Sequence, residues 1–291
     1  MNGDDLRARL ATGEPVLMPG VWDAMSARLC VQAGHDVAFL SGYCTSATLL
    51  GLPDFGYLTQ GEMAEVARRV CRAAPDLMVI VDADTGYGNP LNTIRTVELW
   101  EQAGASGLFL EDQVWPKKCG HMAGKQVVPV EDWLAKLKAA VANRTSLHIT
   151  ARTDARAAVS LDEAIDRARR ALDVGVDAVF VEAPESVEEL EQIAAALPDC
   201  VRVANMIETG KTPLLTPSEL HDLGFDLIVA PLGGLYAATK AIRSIYATLA
   251  EKGTLRDDLE PLVSFDEFNA LVDLDEHYAR EDRYRWDTRR G

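Results

Sequence analysis

The sequence predicts an α/β protein of the (β/α)8 TIM barrel class with a helical extension at the C-terminus. Short apolar, β-branched segments alternate with amphipathic helical segments, and this alternation occurs eight times. Residues 77–83 are apolar at successive positions, as a parallel strand covered on both faces requires. A doubly wound open sheet is the alternative, but no predicted strand is followed by the Gly-x-Gly-x-x-Gly turn of dinucleotide-binding folds.

The alternating segments define eight predicted strands and eight predicted helices. The strands are 15–19, 36–41, 77–83, 106–111, 146–152, 176–182, 200–206 and 225–231. The helices are 23–34, 59–74, 90–103, 131–143, 161–174, 186–197, 216–223 and 234–250. Gly104 and Gly175 follow two of these helices and suit the left-handed conformation of a helix C-terminus. We predict a single barrel domain over residues 1–291, in which residues 255–291 form a helical tail.

Composition limits the classes of partner. The formal net charge of −16 disfavours binding to nucleic acid or to an anionic membrane surface. No apolar run reaches the roughly 18 residues of a membrane span. The five cysteines are odd in number and form no Cys-x-x-Cys pair, which favours a reducing cytoplasm over a disulfide framework. An anionic substrate would need a local positive feature, and a bound metal is one way to supply it.

Acidic residues stand at the ends of the predicted strands. Asp82 and Asp84 end the third strand, Glu111 ends the fourth, and Asp54 lies in the long connection 42–58 after the second. The ends of barrel strands converge on one mouth, where active sites lie. Clustered carboxylates repel one another unless a cation neutralises them, and oxygen ligands suit Mg²⁺ or Mn²⁺. The alternative is that these acids cap helices or face solvent.

The long connection 112–130 after the fourth strand carries a reactive-looking sequence. Lys117 and Lys118 precede Cys119, and His121 follows it. Neighbouring cations favour the thiolate and lower the pKa of such a cysteine, so that it can act as a general acid or base. The alternative is a solvated basic loop with an incidental cysteine.

Further polar residues end other strands. Arg152 ends the fifth strand and suits a bidentate grip on a carboxylate or a phosphonate, or else an ion pair with a nearby acid. Ser41 and Gly42 form a turn that can offer backbone N–H groups to a carboxylate. Asn205 ends the seventh strand as a substrate contact or a supporting group, and Glu182 ends the sixth.

Together these motifs resemble the isocitrate lyase / phosphoenolpyruvate mutase superfamily over about residues 14–250. The matching segments are Ser41-Gly42, Gly51-Leu-Pro-Asp54, Asp82-Ala-Asp-Thr-Gly-Tyr-Gly-Asn89, Leu110-Glu-Asp-Gln113, Lys117-Lys-Cys-Gly-His-Met122, Ala151-Arg-Thr-Asp154 and Val181-Glu-Ala183.

The resemblance implies a role for each matched residue. Asp84 would touch Mg²⁺, and its bound waters would be held by Asp54, Asp82 and Glu111. The carboxylate of an oxoacid would be bound by Ser41, Gly42 and Arg152, with Asn205 and Gly120 as further contacts. The loop 112–130 would gate the site, and the catalytic groups would be Cys119, His121, Lys117, Lys118, Glu182 and Tyr43, of which Glu182 and Tyr43 are both candidates for the base.

Within the superfamily, the Cys-Gly-His loop is similar to that of 2-methylisocitrate lyase and 2,3-dimethylmalate lyase. It implies a Mg²⁺-dependent lyase that cleaves a small 2-hydroxy di- or tricarboxylate, such as a substituted malate, to a 2-oxoacid such as pyruvate and a carboxylic acid. Phe39 and Tyr236 replace a Tyr and an Arg of the methylisocitrate lyases, which favours a smaller diacid.

Two other activities stay open. Carboxyphosphonoenolpyruvate phosphonomutase also resembles this chain, so phosphonomutase and oxaloacetate decarboxylase chemistry are alternatives. The resemblance also implies a homotetramer, a dimer of dimers, in which the tail 255–291 packs on a partner barrel. A tail folded back on its own barrel is the alternative.

Overall fold

Eight parallel strands close into a barrel in the computed structural model, which describes residues 1–118 and 124–285. Each strand pairs with the next, and the eighth pairs with the first, from Val16 opposite Leu227 to Pro19 opposite Ala230. The predicted barrel is therefore confirmed, and the open-sheet alternative is excluded. The strands are Val16–Val21 (β1), Val37–Leu40 (β2), Met78–Asp82 (β3), Gly107–Glu111 (β4), His148–Thr153 (β5), Ala178–Val181 (β6), Val201–Asn205 (β7) and Leu227–Ala230 (β8).

Helices separate the strands, as the alternation predicts. They are Gly3–Leu10 (α1), Ala24–Gln32 (α2), Gly42–Thr45 (α3), Gln60–Ala73 (α4), Pro90–Ala103 (α5), Val130–Asn143 (α6), Ala155–Ala158 (α7), Leu161–Val174 (α8), Val187–Ala196 (α9), Pro217–Asp222 (α10), Gly233–Lys252 (α11), Phe265–Leu271 (α12) and Leu274–Arg283 (α13). The predicted termini of α5 and α8 are confirmed, because Gly104 and Gly175 end them in the left-handed conformation, with φ of 92° and 95°.

The core has two layers. Phe39, Phe109 and Phe180 fill the barrel interior, where the first two rings stand 4.8 Å apart and the second and third 5.5 Å apart. Outside the barrel, the helices bury their apolar faces on the sheet, with Trp100 and Trp133 fully enclosed. Both faces of the sheet are thus covered, which explains why the strands are mostly apolar.

The N-terminal helix α1 was not predicted, because its sequence is polar. Asn2 caps it reciprocally with Asp5. Arg7 donates to the carbonyls of Ser146 and Leu147 and to the carboxylate of Asp177, so the helix is anchored to the segments that lead into β5 and β6. These partners are distant in sequence, so local pattern gives no sign of them.

The long connection after β2 is ordered near its start. Ser41 caps α3, and a π-helical turn, Ser46–Leu50, follows directly. Gly51 ends this turn with φ 67°, a conformation that favours glycine. The residues predicted as one irregular connection therefore begin with helical structure, which fixes the position of Ser41 at the end of β2.

The chain divides into two compact units, Met1–Leu235 and Tyr236–Gly291. The first contains the closed barrel. In the second, the described residues form helices, and Ser264 caps α12 reciprocally with Glu267. The helical tail is thus observed, and the single-domain organisation stays a prediction. Within the described ranges, no helix is both long enough and apolar enough to cross a membrane.

Candidate active site

The four carboxylates predicted to hold a metal ion are buried at the barrel mouth. Asp82 and Glu111 are the last residues of β3 and β4, Asp84 lies two positions beyond β3, and Asp54 comes from the connection after β2. The ammonium of Lys117 lies among them, 2.7 Å from Asp54 Oδ1 and 2.7 Å from Asp84 Oδ1. The structure therefore brings the predicted acidic cluster together, and it adds a buried cation.

The turn after β3 sets the position of Asp84. Its backbone N–H donates to Asp82 Oδ1 at 3.1 Å, and its φ of 44° is in the left-handed region. Gly86 follows with φ 82°, and a Cβ there would lie 2.5 Å from Thr93 Oγ1. A non-glycine residue at positive φ is uncommon and is concentrated at functional sites. The strained turn aims the Asp84 carboxylate into the mouth.

Burial dominates the electrostatics of this cluster. It raises the pKa of Asp84 to about 7, against the opposing attraction of Lys117 and with further increase from Asp82 and Asp54. Burial also raises the pKa of Glu111 well above its usual range, although Arg152 opposes the shift. For Lys117, burial favours the neutral amine, but the surrounding carboxylates raise its pKa well above normal. The cluster is thus a buried site in which a positive charge favours the ionised carboxylates.

The donor set fits a divalent ion of the magnesium type. All four side chains offer carboxylate oxygens, and Glu111 Oε1 is buried without a hydrogen-bond partner. No three His, Cys, Asp or Glu side chains in residues 1–118 and 124–285 lie close enough to enclose an ion directly. Mg²⁺ usually keeps several waters and binds through one or two carboxylates, so one direct ligand with three water-holding acids is compatible with this geometry.

Arg152, which was predicted to bind a substrate carboxylate, is held by Asp154, a partner that the sequence did not predict. Arg152 donates to Asp154 through Nε at 3.0 Å and through Nη2 at 3.2 Å. The two expected partners are farther from the guanidinium, Glu111 at 3.5 Å and Glu182 at 3.7 Å. The guanidinium carbon also lies 5.5 Å from the centre of the Phe180 ring. Arg152 is thus fixed in place beside the acidic cluster.

Asp154 also binds a second cation, Lys125, whose Nζ lies 2.6 Å from Asp154 Oδ1. Burial raises the pKa of Asp154, but Arg152 and Lys125 outweigh it and lower the pKa to about 2. The position of Asp154, two residues after Arg152, is a weak signal that could have identified it. Lys125 has no such signal, because its partner is 29 residues away.

Glu182 and Asn205 form a pair across adjacent strands. Asn205 Nδ2 donates to Glu182 Oε1 at 3.2 Å, and both side chains are buried. Asn205 Oδ1 is buried without a protein partner, which leaves an acceptor for a ligand. The pair therefore offers a carboxylate held by an amide, which suits Glu182 as a base.

The Ser41-Gly42 segment lies against the acidic cluster. Ser41 Oγ accepts from the backbone N–H of Cys44, and a Cβ at Gly42 would lie 2.8 Å from Asp82 Oδ2. Glycine therefore permits the close approach of this backbone to the carboxylates. Tyr43, the other candidate base, is half-buried and packs on an apolar cluster that includes Ile207.

The described part of the loop 112–130 is tied by hydrogen bonds at Lys118. Its backbone N–H donates to Gln113 Oε1 at 3.1 Å, and its carbonyl accepts from Gln113 Nε2 at 2.8 Å. The Lys118 ammonium donates to the carbonyl of Gly124. The predicted residues Cys119, Gly120 and His121 lie outside the described residues.

The sequence of the chain is similar to those of several known proteins. The profile of a family described as phosphoenolpyruvate phosphomutase matches residues 6–250. The chain is 50% identical to the petal death protein of Dianthus caryophyllus, covering 93% of this chain and 85% of that protein. It is 51% identical to the chloroplastic carboxyvinyl-carboxyphosphonate phosphorylmutase of Arabidopsis thaliana, over 92% and 80%. It is 41% identical to the 2,3-dimethylmalate lyase of Eubacterium barkeri, over 96% of each chain.

Several solved structures superpose closely on this chain. A crystal structure of 2,3-dimethylmalate lyase superposes with a TM-score of 0.92 at 32% identity, covering 97% of this chain and 94% of that one. Oxaloacetate acetylhydrolase bound to 3,3-difluorooxalacetate superposes equally well, at 32% identity over 96% of each chain. Phosphonopyruvate hydrolase in complex with oxalate and Mg²⁺ has a TM-score of 0.87 at 27% identity, over 98% and 99%.

Proposed function

Because the chain belongs to the phosphoenolpyruvate phosphomutase family, which includes lyases and mutases that act on small carboxylates, we propose that it is a Mg²⁺-dependent carbon–carbon lyase. Its substrate is a small 2-hydroxy diacid such as a substituted malate. The observation that carries this proposal is the proximity of two complementary features: the Arg152 guanidinium lies 3.5 Å from Glu111, a member of the buried carboxylate cluster. The carboxylates that would hold a cation and the arginine that would bind a substrate carboxylate thus lie side by side at the barrel mouth.

The proposed roles follow the positions of the side chains. Asp84 would be the direct ligand of Mg²⁺, or of Mn²⁺ in its place, and Asp54, Asp82 and Glu111 would hold the waters of the ion. Arg152 binds a substrate carboxylate, together with backbone N–H groups of Ser41 and Gly42. When bound, the divalent ion supplies Lewis-acid stabilisation of the oxyanion that develops on the substrate.

The chain's own groups move the protons. Glu182, held by Asn205, removes the proton of the substrate 2-hydroxyl as the C2–C3 bond breaks. The electron pair of that bond passes into the leaving fragment as an enediolate, and Cys119 gives the enediolate a proton at carbon. The products are a 2-oxoacid and a carboxylic acid. Tyr43 is the alternative base, and Lys117, Lys118, Gly120 and His121 are proposed to support the loop chemistry.

A substrate panel tests the proposal. The purified protein with Mg²⁺ is incubated with 2-alkylmalates, 2,3-dimethylmalate, citramalate and 2-methylisocitrate, and oxoacid release is followed by reduction with lactate dehydrogenase and NADH. We expect the highest kcat/KM with a substituted malate. Absence of oxoacid from every member of the panel would reject the lyase.

Two other activities have specific support. The 51% identity to a carboxyvinyl-carboxyphosphonate phosphorylmutase supports phosphorus–carbon chemistry, in which Arg152 would bind the phosphonyl group. The superposition on oxaloacetate acetylhydrolase supports cleavage of oxaloacetate by hydrolysis or decarboxylation. Phosphorus NMR with carboxyphosphonoenolpyruvate identifies the first activity. Carbon NMR with oxaloacetate separates oxalate plus acetate from pyruvate plus carbon dioxide.

We also propose a cytoplasmic homotetramer, a dimer of dimers. Support comes from large apolar side chains that are exposed in the unit Tyr236–Gly291, among them Ile242, Tyr246, Phe265 and Phe268. Light scattering at micromolar concentration should give the mass of four chains. A mass of 31.7 kDa would reject the assembly.

A further inference from the structure

The Lys117 ammonium lies inside the carboxylate cluster, where a cation is needed to balance the negative charge. It is 2.7 Å from oxygens of both Asp54 and Asp84, and only 3% of the side chain is exposed. Asp54 approaches it with both oxygens, the second at 2.8 Å. Asp82 and Glu111 add further attraction. All four carboxylates proposed to hold the divalent ion thus act on this one lysine.

We propose that Lys117 is a built-in counter-ion of the metal site: its ammonium offsets part of the carboxylate charge in the metal-free protein and leaves the carboxylates when the divalent ion binds. This inference rests on the proposed function, because it takes the four carboxylates as the metal site. It adds that metal binding is an exchange of one cation for another within the same set of oxygens.

The two cations compete for the same carboxylate oxygens. The ammonium has three donors and no lone pair, so it cannot become a metal ligand. Mg²⁺ binds carboxylate oxygens at about 2.0–2.1 Å. An ion on Asp84 Oδ1 and an ammonium 2.7 Å from the same oxygen would stand within about 5 Å of each other in a buried site. Their repulsion there is poorly screened, so the ion displaces the ammonium.

The displacement is a movement of the side chain rather than of its backbone. The next residue, Lys118, is held on both sides of its peptide by Gln113. The Lys117 backbone N also lies against Gly56, where a Cβ would come within 3.3 Å of it. With this backbone fixed, the flexible four-carbon stem carries the ammonium out of the cluster. The released positive charge remains at the mouth, where an anionic substrate arrives, so metal binds before substrate.

The exchange makes the apparent affinity for Mg²⁺ weaker than the intrinsic affinity. If the ammonium occupies the cluster in about nine of ten molecules, the apparent Kd is about tenfold higher than the intrinsic one. Removing the ammonium should therefore tighten Mg²⁺ binding, although the loop loses an ion pair. A lysine that merely supported the metal site would give the opposite change.

Isothermal titration with Mg²⁺ tests this on the full chain. We expect Lys117→Met to lower the Kd for Mg²⁺ about tenfold or more and to lower the melting temperature without metal, because the carboxylates lose their counter-ion. Lys118→Met removes the same charge from the adjacent position, where the ammonium donates to the carbonyl of Gly124, and should leave the Kd within about twofold. Equal or weaker Mg²⁺ binding by Lys117→Met would overturn the inference.

A measurement on the unaltered protein covers the case in which Lys117→Met does not fold. Brief acetylation with acetic anhydride, read by peptide mass spectrometry with fragment ions that separate Lys117 from Lys118, reports access to each amine. We expect Lys117 to be protected without metal and to be labelled at least tenfold faster with saturating Mg²⁺, whereas Lys118 changes little. Labelling of Lys117 that is unaffected by bound Mg²⁺ would overturn the exchange.

The outcomes also separate this inference from the proposed function. If neither the natural chain nor Lys117→Met binds Mg²⁺ or Mn²⁺, the metal site itself is rejected, and the exchange with it. If both bind the ion with equal affinity, the metal site stands and only the exchange is rejected.

Discussion

Asp154 is the residue on which two parts of the site depend. Its buried carboxylate accepts hydrogen bonds from Arg152 and Lys125, and its backbone N–H donates to Asp112 Oδ1 at 2.8 Å. Asp112 in turn accepts from Arg167. A chain of buried charges therefore runs from the proposed carboxylate grip to the helix α8 behind it.

Replacing Asp154 should affect both stability and substrate binding. Asp154→Asn keeps the size of the side chain but leaves two buried cations with less compensation, so we expect a loss of about 3–5 kcal/mol in the free energy of unfolding. Because Arg152 loses its closest partner, KM should rise more than kcat falls. Urea denaturation and steady-state kinetics measure the two effects. The exposed Asp166→Asn on α8 is the control and should change stability by less than about 0.5 kcal/mol. Unchanged stability of Asp154→Asn would contradict the argument.

Cys119 has a separate test, which follows from its sequence context. If Cys119 delivers the proton, Cys119→Ser should lose about 10²–10⁴-fold in kcat, since that is the usual contribution of a general acid. Mg²⁺ should still raise the melting temperature of this variant. In Asp84→Ala, by contrast, Mg²⁺ should no longer stabilise the fold by mass action. A Cys119→Ser enzyme with near-normal lyase turnover would exclude the thiol as the proton donor.

The residues of the site differ in how well the sequence predicts them. The acids at strand ends could be predicted because the barrel topology gathers every strand end at one mouth. Lys117 was predicted as a catalytic group of a basic loop, but nothing local indicates that its ammonium enters the acidic cluster. Lys125 and Asp154 were missed because their contact joins residues from different βα units.

At the scale of elements, the strands and barrel helices agree with their predicted positions to within about two residues, because both follow from local periodicity. The elements that were missed depend on other contacts. Helix α1 is held by Arg7 against the segments before β5 and β6, and α3 is a short helix capped by Ser41. Neither has an apolar period of its own.

Two glycines in helical contexts should respond to alanine with opposite signs. Gly175 ends α8 at φ 95°, and its Cβ would meet nothing closer than Val141 Cγ1 at 3.7 Å, so Gly175→Ala adds strain without a clash. We expect a loss of about 1–2 kcal/mol. Gly61 lies in the first turn of α4 with open space around it, so Gly61→Ala should gain about 0.4–1 kcal/mol. Chemical denaturation measures both, and equal signs would contradict the conformational argument.

For the whole molecule, stability should depend on pH through one buried histidine. Burial lowers the pKa of His148 to about 4, with Asp177 opposing this shift and Arg7 and Arg144 adding to it. Between pH 4 and 6.5 the unfolded chain binds a proton at this residue and the folded chain does not, so stability falls as pH decreases. The full effect is about 3 kcal/mol, at about 1.36 kcal/mol for each pH unit between 6.5 and 4.

The test compares His148→Phe with the natural chain. The difference between their free energies of unfolding should shift in favour of the variant as pH falls from 7 to 4.5, because the variant has no proton to bind in the unfolded state. His277→Phe replaces an exposed histidine and serves as the control. A difference between His148→Phe and the natural chain that stays constant with pH would contradict the assignment.

The pairing of β1 with β8 has a consequence for the order of synthesis. At this junction Gly20 lies so close to Pro231 that a Cβ would stand 1.9 Å from its carbonyl oxygen. A nascent chain that has not yet produced Ala230 holds its first strand without a partner on one side, as an open edge of apolar residues. Seven strands are therefore synthesised before the eighth, which is the last neighbour of the first, can pair with it.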